Sequence, residues 1–176
     1  MANKDHIGRL RQGVSVWNQW RTQHPAVVPD LSGENLSRER LERADLSRAN
    51  LHKTDLSYAK LTLGANLHEA DLSGANLSFA DLHSALIEKA NLGDANLHQA
   101  NLHFANLRGA DLSGADLSDA DMTGAKLSGA DLRGANVKQT RFDRVEGLKE
   151  SEKADLRTRG ALFQGPPTYW ELRYLK

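Results

Sequence analysis

The chain has 176 residues, enough for one domain with its own core. Its 23 basic and 23 acidic residues cancel, it has no cysteine, and no apolar run approaches the roughly 18 residues of a membrane span, which excludes a disulfide framework, thiolate chemistry and a transmembrane helix. Residues 1–29 set Lys4, Arg9, Arg11 and Arg21 against Asp5, whereas residues 66–121 set nine acids against Lys89 and Arg108, a balance that argues against direct nucleic-acid binding.

Residues 1–28 read as a helical cap. The stretch KDHIGRLRQGVSVWNQWRT places Ile7, Leu10, Val14, Trp17 and Trp20 at spacings of 3, 4, 3 and 3, which predicts one helix with a single apolar stripe. Pro25 and Pro29 end it. The stripe is expected to cover the core that follows. Few basic residues lie opposite it, so membrane binding is not expected. No charged segment followed by an apolar one opens the chain, and a cytoplasmic location is expected.

Residues 29–146 repeat every five residues. Leucine-type centres fall at 31, 36, 41, 46, 51, 56 and 61, then resume at 67 and run to 142 after a one-residue slip, 23 in all. Taking the centre as position i, Ala stands at i−2 from Ala59 onward to Ala135, Asp or Asn at i−1, often Ser, His or Thr at i+1, and often Gly at i+2. Five residues advance a helix by about 140° net, which scatters the leucines around the axis. In a straight strand five is odd, so successive leucines would land on opposite faces. Only a chain that bends once per repeat, always the same way, keeps every Leu inside. Such coils stack about 4.8 Å apart, each hydrogen-bonding the next. The period alone leaves three or four sides open.

The run A(D/N)LXX resembles the pentapeptide-repeat proteins over about two-thirds of the chain, and the wording QGVSVWNQWR resembles leaders of cyanobacterial members. The resemblance implies an all-β solenoid, a right-handed quadrilateral β-helix of four repeats per coil and here almost six coils, with an N-terminal α-helix and a short C-terminal α-helix as caps. Leu97 then lies in a layer of four inward side chains, and Ala at i−2 fits where a larger group would overfill the interior. Glu34 and Glu39 occupy Ala positions, so the first coil is expected to face a cap. Gly64, beside Leu63, is expected to absorb the slip as a bulge. Thr54 and Thr140 are mild replacements for Ala.

Residues 147–176 form a C-terminal helix and tail. Ser151 is the expected N-cap and Gly160 the stop, with Leu148, Leu156 and Leu162 covering the last coil. Beyond Pro166-Pro167, the aromatic tail TYWELRYLK either folds back or contacts a second protein.

With four repeats per coil, His83 and His103 stack, as do Asp71, Asn91, Asp111 and Asp131. Neither column brings a third ligand or a pocket, so solvated side chains and bends explain them, and no metal, cofactor or catalytic residue is expected. The apolar groups at outward positions are the exception. Tyr58 and Phe79 share one face at i+2, and Leu63 and Phe104 lie on the next, which makes them the candidate protein-binding residues. The reading is a non-enzymatic structural or interaction module, a monomer or weak dimer, with an unknown protein partner. The alternative is a DNA-mimicking inhibitor or protector of DNA gyrase, as the resemblance allows.

Overall fold

Each repeat forms one side of a square. In the computed structural model, which describes residues 2–163, parallel bridges join residues 20 apart, as in Asp71↔Asn91 and Asn96↔Asp116, so four repeats close one coil. The four sides run in chain order. Face A carries Leu46, Leu67, Ile87, Leu107 and Leu127. Face B carries Leu31, Leu51, Leu72, Leu92, Leu112 and Leu132. Face C carries Leu36, Leu56, Leu77, Leu97, Leu117 and Val137, and face D carries Leu41, Leu61, Leu82, Leu102, Met122 and Phe142. All of these centres except Leu132 are buried, and so is nearly every Ala at i−2. Most centres donate to the next coil, as Leu72 N–H does to Asn91 O at 2.7 Å, and most i−1 amides from the second coil on donate back, as Asn91 N–H does to Ala70 O at 2.9 Å.

The bend itself is a β-turn. Ala80 N–H donates to Leu77 O at 3.0 Å, closing a turn whose third residue, Phe79, has φ 59°. A positive φ at that place is the type II pattern. The sixteen non-glycine residues of the described chain with positive φ all sit at i+2, at φ between 54° and 64°. That backbone is strained for side chains and most so for β-branched ones; no Val, Ile or Thr occurs at i+2. Substitutions at exposed Gln99 are therefore expected to rank Gly and Gln above Val, with Gln99→Val costing about 1–2 kcal/mol in urea unfolding. A valine variant as stable as the parent would contradict the geometry.

At the slip the expected bulge is a tight turn instead. Leu63 and Gly64 both have positive φ, 56° and 77°, and Ala65 N–H donates to Thr62 O at 3.2 Å, the signature of a type I′ turn. Pairing runs 21 apart from Asp45↔Asn66 to Lys60↔Asp81, then returns to 20 at Asn66↔Leu86. The buried hydroxyls of Thr54 and Thr140 donate to Leu31 O at 2.9 Å and Leu117 O at 2.6 Å, so these replacements for Ala bring their own partners.

The N-terminal cap is two helices, not the single helix the stripe predicts. Helix α1 spans Lys4–Arg11 and α2 spans Val14–Gln23, and Gly13 between them, at φ 113° and ψ 156°, breaks the spiral. Ile7, Leu10, Trp17 and Trp20 are buried and Val14 is partly buried against the same core, so the spacing survives the break. Helix α2 also closes the open edge of the first coil with side chains. Trp17 Nε1 donates to Asp45 O at 2.8 Å, Asn18 donates to Arg43 O at 2.9 Å and accepts from Asp45 N–H at 2.9 Å, and Arg21 donates to Ser47 O at 2.9 Å. These groups stand where a preceding rung would. Glu34 faces Arg11 of α1 at 3.8 Å and Glu39 is exposed, as an irregular first coil requires.

At the other end, α3 spans Glu150–Thr158. It begins earlier than a Ser151 cap would place it: Lys149 is the N-cap, and its N–H donates to the Glu152 carboxylate at 2.6 Å. Leu156 is buried and Leu148 partly so, but Leu162 is 41% exposed, contrary to expectation. Leu162 serves through its backbone, which adds a rung under Arg141, accepting from Phe142 N–H at 2.8 Å. Arg159 donates to Leu132 O and Ala135 O, each at 3.0 Å. No helix among the described residues is long and apolar enough to cross a membrane. The expectations for the tail from Pro166 lie outside the described residues.

Candidate functional site

The candidate residues frame one face. Corner side chains at i+2 point outward, and those at the C/D corner form a stack. Tyr58 lies on Phe79 with ring centroids 4.8 Å apart and planes 3° from parallel, Arg38 Cζ sits 5.2 Å over Tyr58, and His98 meets Phe79 edge-on at 5.7 Å. At the D/A corner, Leu63 and Phe104 are separated by the rung of Ser84, so the structure does not bring these two together. Phe104 instead stacks on His103 at 4.2 Å, and His103 meets His83 at 5.5 Å. The Phe104 ring lies over Gly124, where a Cβ would run into it. Face D thus presents His83 and His103 between two apolar edges.

Exposure sets these residues apart: Tyr58 is 48%, Leu63 61%, Phe79 39% and Phe104 53% exposed. Leu86 belongs with them at 40% and escapes the sequence reading. It stands at i−1, a position scanned for Asp and Asn, at the same D/A corner; a lone Leu in that column is the signal. Four cations, Arg38, Arg40, Arg43 and Lys60, surround the upper end of the face and all are exposed.

The carboxylate column is occupied in turning corners. Each i−1 oxygen accepts from the amide two residues on, as Asp71 does from Ser73 at 3.1 Å and Asp111 from Ser113 at 2.9 Å, and Asn91 Nδ2 donates to Asp71 at 3.1 Å. No group of three or more metal-binding side chains occurs among the described residues. These hydrogen bonds move titrations. The Arg133 side chain and then its amide hold the Asp131 carboxyl at about 2. The Ser32 hydroxyl lowers Asp30. Burial pushes Asp116 and Asp121 up, but hydrogen bonds from Ser118 and Asn136 to the first, and from Thr123 to the second, outweigh it and both end lowered. A carboxyl lowered in the folded chain binds its proton later than in the unfolded one. Its contribution is full above the unfolded value near about 4 and is lost as pH falls through the folded value. The urea midpoint is therefore expected to hold from pH 7 to 5 and fall between pH 4 and 2; a midpoint flat across that lower window would refute the assignment.

The family described as pentapeptide repeats matches the sequence in eight copies, at residues 30–62, 63–99 and 100–139. The structure is similar to that of a pentapeptide-repeat protein from the thylakoid lumen of Arabidopsis thaliana, at 30% identity over 75% of this chain and 78% of that one, with a TM-score of 0.52. Pentapeptide-repeat proteins of the cyanobacteria Nostoc (34% identity, 62% of this chain, 84% of that one, TM-score 0.40) and Cyanothece (25%, 84%, 97%, 0.40) also match. No curated protein sequence matches the chain. With the repeat matched across most of the square coil, the chain belongs to the pentapeptide-repeat family.

Proposed function

We propose that this protein is a non-enzymatic interaction module that offers face D to a protein partner. The observation that carries the reading is the exposed Tyr58–Phe79 stack along one edge of that face, with Leu63, Leu86 and Phe104 along the other, on a rod whose outward side chains are otherwise mostly polar. Exposed aromatics on a rigid frame lose little entropy on contact and supply the apolar anchor of an interface. The stack does not favour nucleic acid. Base binding needs a free ring face, and both faces of Tyr58 are covered, by Arg38 and Phe79. Nor does a DNA-like acidic strip support the gyrase alternative, because the acids of residues 66–121 are dealt to all four faces: Glu69 and Glu88 on A, Asp71, Asp94 and Asp111 on B, Asp116 and Asp119 on C, and Asp81 and Asp121 on D.

The test is affinity capture from a lysate of the source cell, with the parent protein beside a Tyr58→Ser, Phe79→Ser, Phe104→Ser variant. A protein retained by the parent and lost by the variant supports the reading. Equal retention by both removes face D from it.

A further inference from the structure

Face D fits its own reverse. Along its C side the rungs carry Arg40, Lys60, Asp81 and Asn101, each paired with the next. Turned end over end, the column reads Asn101, Asp81, Lys60, Arg40. Two copies laid face to face in this way set Lys60 of each against Asp81 of the other, and Arg40 against Asn101. The neighbouring column, on the A side, carries Glu42, Thr62, His83 and His103. Reversed, it sets Glu42 against His103 and Thr62 against His83. Glu42 accepts from Arg40 at 3.3 Å and His103 stacks on Phe104 at 4.2 Å, so both side chains are held against the face.

The two edges obey the same reversal. Arg38, Tyr58, Phe79 and Gln99 follow one another at the C/D corner. Reversal lays Tyr58 of each copy on Phe79 of the other, so the two rings stacked at 4.8 Å in one copy become four rings in one apolar cluster. At the D/A corner Arg43, an exposed cation, comes against the ring of Phe104, which is 53% exposed, and supplies a cation–π contact. Other arrangements fit less well. Sliding one copy by a rung sets Lys60 against Lys60 in one direction and Asp81 against Asp81 in the other. Laying the copies parallel sets Arg38 against Arg43 at both edges and spends Phe79 on Ser84 and Phe104 on Gln99. Like charges facing across a contact are strongly disfavoured. Among these arrangements the reversed one alone sets no like charges face to face.

We propose that face D pairs with face D of a second copy of this chain, the two rods antiparallel about a twofold axis that crosses the face between the rungs of Leu61 and Leu82. Such a contact is isologous and closes at two copies. The inference rests on the reading of face D as a contact surface and names its partner. The overlap is four rungs, spaced about 4.8 Å apart. That is the small end of specific interfaces, so a dissociation constant of roughly 100 μM is expected.

Sedimentation equilibrium of the full chain, carried to roughly tenfold above that concentration, is expected to show monomer and dimer. Lys60→Glu sets acid against acid twice across the axis, and Asp81→Lys sets lysine against lysine. Each is expected to weaken the dimer at least about tenfold. Mixed one to one, the two variants are expected to recover the parent's affinity to within about threefold, because the new glutamate meets the new lysine while the unaltered Asp81 meets the unaltered Lys60. A defect within one chain's own fold is not cured by mixing. Geometry is read separately. The chain has no cysteine, so Arg38→Cys and Gln99→Cys each carry one thiol. A short bismaleimide is expected to join the two in a mixture and neither to itself, since identical positions then lie three rungs apart along the axis. A parent that stays monomeric overturns the self-pairing and leaves face D free for a different protein. A dimer that Lys60→Glu does not weaken, a mixture no tighter than its components, or equal cross-linking of the mixture and the single variants overturns it too.

Discussion

Leu97→Lys is expected to break the solenoid. Leu97 shares a layer with Ile87, Leu92 and Leu102, each at most 1% exposed, between Leu77 above and Leu117 below. The buried polar side chains of the described residues are Arg21, Thr54, Thr140 and Asp143, and none lies in that layer. A lysine there has no acid to meet among these apolar neighbours. Every main-chain amide around it is already committed to a turn or to the next rung. The ammonium must either shed its proton or pull the coil open, at a cost on the order of 5 kcal/mol, to which the lost leucine packing adds. A domain holds only about 5–15 kcal/mol in all. Because a solenoid's coils are stabilised by their neighbours, a break in the middle separates the stack into two short pieces with raw ends. The expected result is loss of the cooperative thermal transition and insoluble protein. Ser113→Lys, at an outward i+1 position, is expected to change stability by no more than about 0.5 kcal/mol. A soluble Leu97→Lys protein that melts cooperatively near the parent's temperature would show that the centre does not face inward.

The second large effect is at the upper end. Arg21 is 4% exposed and makes three kinds of contact: Nη1 to Val27 O at 2.8 Å, Nη2 to Ser47 O at 2.9 Å and Nε to the Asp45 carboxylate at 3.6 Å. Burial lowers its pKa, and the neighbouring Asp45 acts in the opposite sense. Arg21→Ala leaves two carbonyls without donors and a void between α2 and the first coil, a loss of about 3 kcal/mol. For a chain of this size that is roughly 10 °C in Tm if the whole molecule melts together. The loss falls at an end, so hydrogen exchange is expected to rise in α1, α2 and the coil from Leu31 to Leu46 while the coils below Leu67 keep their protection. The bared edge of Arg43–Ser47 would also pair with a second copy, and sedimentation is expected to show species larger than the parent's. Uniformly raised exchange along the whole chain would mean that Arg21 does not act as an edge cap. Lysine is not expected to rescue it, because one ammonium cannot span Val27 O, Ser47 O and Asp45 as the planar guanidinium does.

Much of this was legible in the sequence, for a simple physical reason. An odd period of five forces a bend, and the bend forces Leu and Ala inward and Asp, Asn and Ser outward. Tyr58, Phe79, Leu63 and Phe104 could be picked out because large apolar residues break the pattern at i+2, although only the structure shows that they edge a single face. The caps were harder to read. Ile7 to Trp20 keep helical spacing through Gly13 because two helices can lay one stripe on one core, so the break left no gap in the pattern. Asn18, Arg21 and Arg159 look like ordinary polar residues of a helix, and their use becomes visible only when the open carbonyls of the first and last coils are placed beside them. Leu162 reads as a core residue by type, yet it is its backbone that the last rung needs. Leu86 was hidden by standing in a column read for its Asp and Asn.

The turn at Leu63-Gly64 has a consequence for how the chain can be altered. One extra residue is taken up at a corner whose two ends, Thr62 and Ala65, are held by rungs on both sides, and the ladder resumes its spacing within a single coil. Closing a longer loop across those same two anchors costs only slowly more as residues are added. A foreign peptide spliced between Leu63 and Gly64 would therefore be carried at the rim of face D, with the leucines above and below keeping their places. The corner is a socket: the frame holds whatever is inserted there at a fixed height and orientation while its sequence is free to vary.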